Sequence, residues 1–480
     1  MFPEIKRLFK HTSIYGLGDI VGRSMAFVLI PLYTHYLSRA EYGVMALAYV
    51  FIGFVNVLYI MGLNTAFLRF FVAEKQREGR KTIFSTTVLF LACTSLLGSL
   101  CLWFASPTVA SFLFRSSDYA FYVRLMALIL FIDTLAQFPL LVLRALERSK
   151  LYAAVTVARF ALTVGLNLYF VLFLRKGVEG VLVSNFLASL FVFSALLPLS
   201  VSYLRRAFSL PLMKNLLNFG LPLIPAVLCV LIIDLSDRYI LEHFSGLEQV
   251  GVYSLGYRLG MIMTLFVSAF RFAWPPFFLS VAEQEEAKEI YARVLTYFLL
   301  AGSVLFLGVT LYLKVVLRLF VGSQYWGASP IVPVVLLSYL FYGLYVNFIV
   351  AVYITKKTKP IPYITGLAAA VNIGLNLLFI PRFGMMGAAV ATLLAYISMA
   401  TALFVVSRRM YLIQYETQRI LKIASAAAIV FAANFVLSSS RGSVEFALKS
   451  LLMVLFFALL VVFRFFQAGE LSALKRITLR

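Results

Sequence analysis

The chain has 480 residues, of which 62% are hydrophobic, 16% aromatic and only 13% charged, with a mean hydropathy of +0.95. Soluble domains carry about 25% charge and about 45–50% apolar residues, so a water-soluble globular fold is excluded and lipid is the solvent for most side chains. Lys and Arg number 42 against 20 Asp and Glu, a net charge of +22. These cations fall in short clusters between long apolar runs, which fits the positive-inside rule and not a nucleic-acid surface.

A membrane-crossing helix needs about 20 mainly apolar residues. On that criterion the sequence predicts an all-α integral membrane protein with fourteen segments, at 12–36, 42–66, 83–105, 119–141, 151–173, 178–203, 216–238, 250–274, 291–313, 329–353, 361–381, 386–406, 420–438 and 446–467. The fourth carries Arg124 and Asp133, and the thirteenth is short. Connections are brief, leaving no room for a soluble domain. Lys6, Arg7 and Lys10 precede a first segment too long for the apolar core of a signal peptide, and no small-residue cleavage site follows it.

Counting cations fixes the expected orientation. With a cytoplasmic N-terminus, the inside segments hold 27 Lys and Arg and the outside loops hold 9. A three-to-one bias over loops this short places both termini on the cytoplasmic side. One inside loop departs from the pattern, carrying Glu283, Glu285, Glu286 and Glu289. Nothing in the sequence explains that acidic run.

The two halves of the chain resemble each other. Gly43-Val44-x-x-Leu47-x-Tyr49 opens the second segment, and Gly251-Val252-x-x-Leu255-x-Tyr257 opens the eighth, 208 residues on. Gly165-Leu166-Asn167-Leu168 in the fifth matches Gly374-Leu375-Asn376-Leu377 in the eleventh, at an offset of 209. Each of these follows a lysine by fifteen residues (Lys150, Lys359) and precedes a Gly-x-x-Gly (Gly177/Gly180, Gly384/Gly387). Six segments per half is an even number, so the repeat is parallel, about an axis along the membrane normal. The expected domains are two six-helix bundles, 1–210 and 211–410, with an appended helix pair and tail at 411–480.

Charges at bilayer depth are expensive and mark paired or functional positions. Asp19 and Arg23 lie four residues apart, hence on one helix face. Thr156, Arg159, Thr163 and Asn167 recur at spacings of 3, 4 and 4, a polar stripe along the fifth segment. Asp133 with Gln137 makes another i, i+4 pair, and Arg124 sits nearer the outer surface. Arg258 and Arg271 are thirteen residues apart, a rotation of roughly 220°, so one straight helix cannot aim both into one groove. Arg271, beside Trp274-Pro275-Pro276, has snorkelling to the interface as its plainer reading. Asp234 and Asp237 beside Arg238 read either as an outer-mouth salt bridge or as an ion site. Lys449 opens the last segment and is expected to snorkel. His11, His35 and His243 stand at segment ends, so no proton relay is assigned to them.

Permanent cations with planar, bidentate geometry suit diphosphate oxygens. Arg23, Arg159, Arg258 and Arg271 are therefore the candidate anion-binding set. Asp19, Asp133 and Asp234 are the candidates for ion coupling, and Thr156, Thr163, Asn167 and Asn376 for a polar cavity lining. For any single Asn or Tyr, knitting neighbouring helices together is the simpler role. Cys93, Cys101 and Cys229 lie in apolar runs with no CxxC pair, so neither a disulfide framework nor a metal site is expected. The sequence contains no Walker loop, G-x-S-x-G or H-E-x-x-H, and the loops are too short for a glycosyltransferase site. A transporter is expected, with no enzyme activity and no cofactor.

Phe9-Lys10-His11-Thr12-Ser13-Ile14-Tyr15-Gly16-Leu17-Gly18, followed by Pro31-Leu32-Tyr33-Thr34-His35-Tyr36-Leu37-Ser38 and Glu41-Tyr42-Gly43, resembles the N-terminal signature of the bacterial polysaccharide-biosynthesis flippases. These share the multidrug/oligosaccharidyl-lipid/polysaccharide (MOP) superfamily with the MATE drug exporters and the peptidoglycan-precursor flippase. The resemblance covers most of the chain, and it specifies the family and not the substrate. It implies a MATE-like fold in the cell inner membrane and translocation of undecaprenyl-diphosphate-linked oligosaccharide for O-antigen or other surface polysaccharide. It also implies H+ or Na+ coupling, contact with membrane lipids, and polymerase or glycosyltransferase partners. From the superfamily only Arg23 is carried over as a cavity arginine. The alternative is a MATE-type multidrug or cation antiporter, for which a carboxylate-lined cavity would be expected.

Overall fold

The computed structural model describes residues 27–436 and 443–466. Among these residues every regular element is helical. Helix α1 (Ile30–Tyr36) ends at Leu37, and α2 (Arg39–Ile60) starts on a capping box. In it the Glu41 N–H donates to Ser38 Oγ at 3.2 Å while the Ser38 N–H donates to the Glu41 carboxylate at 2.8 Å, satisfying two otherwise orphaned donors. Met61 and Gly62, both left-handed at φ 51° and 69°, break the helix before α3 (Leu63–Ala73).

Then follow α4 (Arg77–Phe104), α5 (Ser106–Phe114), α6 (Ala120–Ala145) and α7 (Ser149–Asn167). The end of α7 widens into a π-helical turn over Leu168–Phe173, where the Leu174 N–H reaches the Tyr169 carbonyl at 3.0 Å. Next come α8 (Gly177–Tyr203), α9 (Leu210–Gly220) and α10 (Ile224–Gly260), the last interrupted at Gly246 with φ 76°. The rest are α11 (Ile262–Ser280), α12 (Ala287–Phe320), α13 (Ile331–Phe348), α14 (Val350–Ile354), α15 (Pro360–Met410), α16 (Thr417–Val436) and α17 (Ser443–Val462).

Twelve helical stretches among the described residues are long and apolar enough to cross a membrane. The sequence leads to fourteen, and the two numbers part in identifiable places. Pro360–Met410 counts once but holds two helices joined by a kink at non-helical Gly384, matching the segments expected at 361–381 and 386–406. Most of the first expected segment lies outside the described residues. The segment expected at 250–274 is divided at Met261 between α10 and α11. Gly177 and Gly384, matched by the internal repeat, share a positive φ, 54° and 53°. A glycine takes that conformation without the steric penalty a Cβ would bring.

The chain forms two compact units. One comprises the described residues up to Arg258 together with Ala368–Ala391; the other comprises Leu259–Leu367 with the described residues from Thr392 onward. In lipid, burial of apolar surface does not drive helices together, so close packing and interhelical hydrogen bonds must do so. The first unit has a core of α3, α4, α6 and α9 in which Phe67 meets Phe71 at 5.0 Å and Phe138 edge-on at 5.4 Å. In the second, Trp274 stacks on Phe270 at 5.1 Å and meets Tyr291 edge-on. An apolar cavity of about 560 Å3 lies between α12, α13 and α16, walled by Leu299, Phe306, Leu337, Phe341, Ile420 and Phe431.

Lys449 corrects an expectation. It does not snorkel but is enclosed, donating to the Asn434 side chain on α16, while Arg318 on α12 reaches Glu445, one turn before Lys449 on α17, at 2.9 Å. A neighbouring helix supplies the acceptor, so the ammonium has no need to reach the aqueous boundary.

Candidate functional site

The polar stripe on α7 is real and largely satisfied. Thr156 and Thr163 donate back to the carbonyls of Tyr152 and Arg159, and the Asn167 amide donates to the Thr163 carbonyl at 2.8 Å. Asn167 Oδ1 accepts from the Tyr33 hydroxyl, also at 2.8 Å, tying α7 to α1. In the middle of the stripe Arg159 Nη2 donates to Asp133 Oδ1 at 3.1 Å and to the Ser189 hydroxyl at 3.1 Å, joining α6, α7 and α8. Asp133 is thus the partner of Arg159.

A second polar centre is built on α10. Arg238 donates to Asp237 Oδ1 at 2.9 Å, with side chains only 7% and 0% exposed. Its guanidinium lies 4.2 Å from the centre of the Tyr257 ring. Tyr253 donates to Asp237 Oδ2, and Tyr257 donates to Asp234 Oδ1 at 3.2 Å. Of the two readings of this group, the pair at Asp237 is a salt bridge, and it is enclosed by aromatic rings. Between the two aspartates on the same helix, Ser236 lies 3.3 Å from Asn372 Oδ1, and Asn376 donates to that same oxygen at 2.9 Å.

Arg258 is held differently. Its guanidinium lies 5.7 Å from the centre of the Tyr42 ring, a cation–π contact. Among the described residues its ring contact is Tyr42, and no salt bridge to a carboxylate is found. Arg271 stands elsewhere: it is exposed on α11, in the second unit, and donates to the Tyr342 hydroxyl at 3.0 Å. Arg124 rests over Trp103 and donates to Ser106 at 3.1 Å. Asp19 and Arg23 lie outside the described residues.

The structure therefore joins Asp133 to Arg159, Thr163 to Asn167, and Asn376 to Asn372. It also shows residues that hydropathy could not single out: Tyr33, Tyr42, Ser189, Tyr253 and Tyr257. One signal for them was present, because Tyr49 and Tyr257 close the repeated Gly-Val-x-x-Leu-x-Tyr motif. Among the described residues no cluster of His, Cys, Asp and Glu is arranged to hold a metal ion.

The architecture has solved counterparts. The chain is similar to lipid II flippase MurJ in an inward closed conformation, with a TM-score of 0.75 at 14% identity, over 98% of this chain and 100% of that one. It is similar also to an inward-facing multidrug resistance MATE family transporter of the MOP superfamily, with a TM-score of 0.66 at 14% identity over 81% and 94% of the two chains. This fold and its apolar spans define a multi-pass membrane protein with the architecture of those transporters. The family model described as polysaccharide biosynthesis protein matches residues 8–282, more than half of the sequence, and the chain belongs to that family. A MatE model matches residues 222–378. "Lsg locus putative protein 1" of Haemophilus influenzae is 23% identical over 290 residues, 58% of this chain and 68% of that protein.

Proposed function

We propose that this protein moves a polyprenyl-diphosphate-linked oligosaccharide, with undecaprenyl as the lipid, from the cytoplasmic to the outer leaflet of the inner membrane, for O-antigen or another surface polysaccharide. Arg258 carries the reading. A guanidinium retained inside the membrane against aromatic rings has its bidentate donors available to a diphosphate. Arg159 shares its charge with Asp133, so it contributes less to anion binding and more to poising the carboxylate. Asn167, Asn185 and the tyrosines around them supply hydrogen bonds and ring faces suited to sugars. The two repeats, 1–210 and 211–410, rock about this centre in alternating access, with 411–480 as an addition and both termini cytoplasmic. Asp133 and Asp234 are the described candidates for H+ or Na+ coupling.

The test is extraction of lipids from cells with and without the protein, with a membrane-impermeant probe locating the glycan. Accumulation of a diphosphate-linked oligosaccharide on the cytoplasmic side, relieved by wild type but not by Arg258→Ala, is the expected result. The MatE match over 222–378 favours a second reading, a cation antiporter. An unchanged lipid profile with new sensitivity to cationic dyes would establish that one instead.

A further inference from the structure

Among the acidic residues of the second unit, only Glu445 falls on the outer side by the loop-charge bias; every other one belongs to an expected cytoplasmic segment. Cations gather round this one carboxylate. Arg318 on α12 donates to Glu445 on α17 at 2.9 Å. The two helices run antiparallel there, since Tyr312, six residues earlier on α12, and Ser450, five residues later on α17, hydrogen-bond through their hydroxyls at 2.8 Å. Lys314 and Lys449 each lie four residues inward of one member of the ion pair, hence on the same helix faces as the pair. Two rungs therefore join α12 to α17: Arg318 with Glu445, and Lys314 level with Lys449.

The α17 side of this group is enclosed and the α12 side is open. Glu445 and Lys449 are 3% and 2% exposed, and Lys449 donates to the neutral side chain of Asn434 on α16. Arg318 and Lys314 lie exposed at the rim. Three positive charges thus face one negative charge. Lys314 stands six residues before Phe320, where α12 ends, and Lys449 six residues after Ser443, where α17 begins, about 9 Å along each helix at 1.5 Å per residue. The polar layer of one leaflet is about 5–8 Å deep, so the lysine rung sits just beneath the lipid phosphates. An excess of cations at that depth is costly without a counter-anion. Val316, Leu319 and Phe446, on the same stretches of the two helices, are exposed apolar surface. A cationic recess set in apolar surface matches an anionic amphiphile.

We propose that the rim between α12 and α17 is a binding site for the phosphate of an anionic lipid in the outer leaflet. Arg318, anchored on Glu445, and Lys314 meet the phosphate at the surface, Lys449 adds its charge from beneath, and the acyl chains lie along Val316, Leu319 and Phe446. Two sources share this chemistry, a resident anionic phospholipid and a polyprenyl phosphate. Arg258 belongs to the first unit, so this site stands whether or not that arginine binds a glycan carrier.

The experiment titrates full-length protein, delipidated in detergent, with a fluorescent short-chain phosphatidylglycerol, and with phosphatidylcholine of equal chain length as the zwitterionic control. Wild type is expected to bind the first and not the second. A basic side chain near anionic lipid is worth about fivefold in affinity, so Lys314→Gln and Arg318→Gln should each weaken binding about fivefold, and the two together about 25-fold. Arg382→Gln, at an exposed cation of the first unit, is expected to change nothing. The unfolding temperature without lipid reads folding separately. Should Arg318→Gln fail to fold because Glu445 loses its partner, Lys314→Gln still decides the question. Competition with a short-chain polyprenyl phosphate names the source: displacement assigns the site to the polyprenyl carrier, and its failure assigns the site to a resident phospholipid. Affinity for phosphatidylglycerol equal in wild type and Lys314→Gln, or equal binding of the zwitterionic lipid, would overturn the site. Either result leaves the flippase reading to the lipid-extraction assay.

Discussion

Arg159 and Asp133, on adjacent helices α7 and α6, meet at 3.1 Å with side chains 32% and 29% exposed. Each would be an isolated charge in a lipid-embedded bundle without the other. Breaking a fully buried pair costs about 3–5 kcal/mol and an exposed one about 0–1 kcal/mol; at this exposure Asp133→Ala is expected to lose about 1–3 kcal/mol. The double change Asp133→Leu with Arg159→Met is expected to recover most of that loss, because no unpaired charge remains. Thermal unfolding of purified protein in detergent checks both, and a double variant no more stable than the single would refute the pairing argument.

Arg258 makes a different kind of prediction, about binding and not stability. A hydrogen bond to a charged group contributes about 1.5–3 kcal/mol, so Arg258→Ala should weaken binding of a polyprenyl diphosphate by about 10–100-fold. Arg258→Lys should rescue only partly, since an ammonium lacks the planar fork and stacks poorly on Tyr42. Competition binding with a short-chain polyprenyl diphosphate measures this. Full activity of the lysine variant would show that charge alone suffices.

The Asp237–Arg238 pair should govern folding yield. With Asp237 fully enclosed, Asp237→Ala leaves a guanidinium among tyrosine rings and is expected to destabilise by about 3–5 kcal/mol. Tyr253→Phe removes one donor from the same carboxylate and should cost about 1 kcal/mol. The amount of monodisperse protein recovered from membranes, with its unfolding temperature, ranks the two. An Asp237→Ala variant as stable as wild type would show that the pair is dispensable.

The fold was legible because lipid imposes a simple rule: uninterrupted apolar runs about 20 residues long must be helices. Rotation about a helix axis was legible only within one helix. Hydropathy placed Asp133 and Arg159 at depth and gave each a neighbour on its own segment, Gln137 for one and the threonine stripe for the other. Their actual contact depends on how α6 and α7 pack. Lys449 misled for the same reason, since its acceptor Asn434 belongs to another helix. The run Pro381-Arg382 reads as the connection between two segments, and the chain does break from helical geometry there, at Gly384. Tyr33 and Tyr42 were hidden because tyrosines are common throughout this sequence.

Two glycines separate conformational demand from mere smallness. Gly62 combines φ 69° with a Gly220 carbonyl lying where a Cβ would stand, so Gly62→Ala adds about 1–2 kcal/mol of left-handed strain to a backbone collision. Gly366 has open space inside a helix, where alanine is favoured by about 0.5–1 kcal/mol. Gly62→Ala should therefore lower the unfolding temperature and Gly366→Ala raise it. Opposite signs in differential scanning fluorimetry are the expected outcome, and a shared sign would contradict the geometry.

The compact units are not contiguous in sequence: the first takes in Ala368–Ala391, long after Arg258. During synthesis, then, the ribosome must add more than a hundred further residues before that unit can receive its final piece. Until then Asn372, the polar neighbour of Ser236, has not been made, and the polar face of α10 waits in the bilayer without it. Nascent chains halted before residue 368 should therefore be held by insertion factors or proteases that recognise exposed intramembrane polarity, and release should follow once residue 391 has entered the membrane.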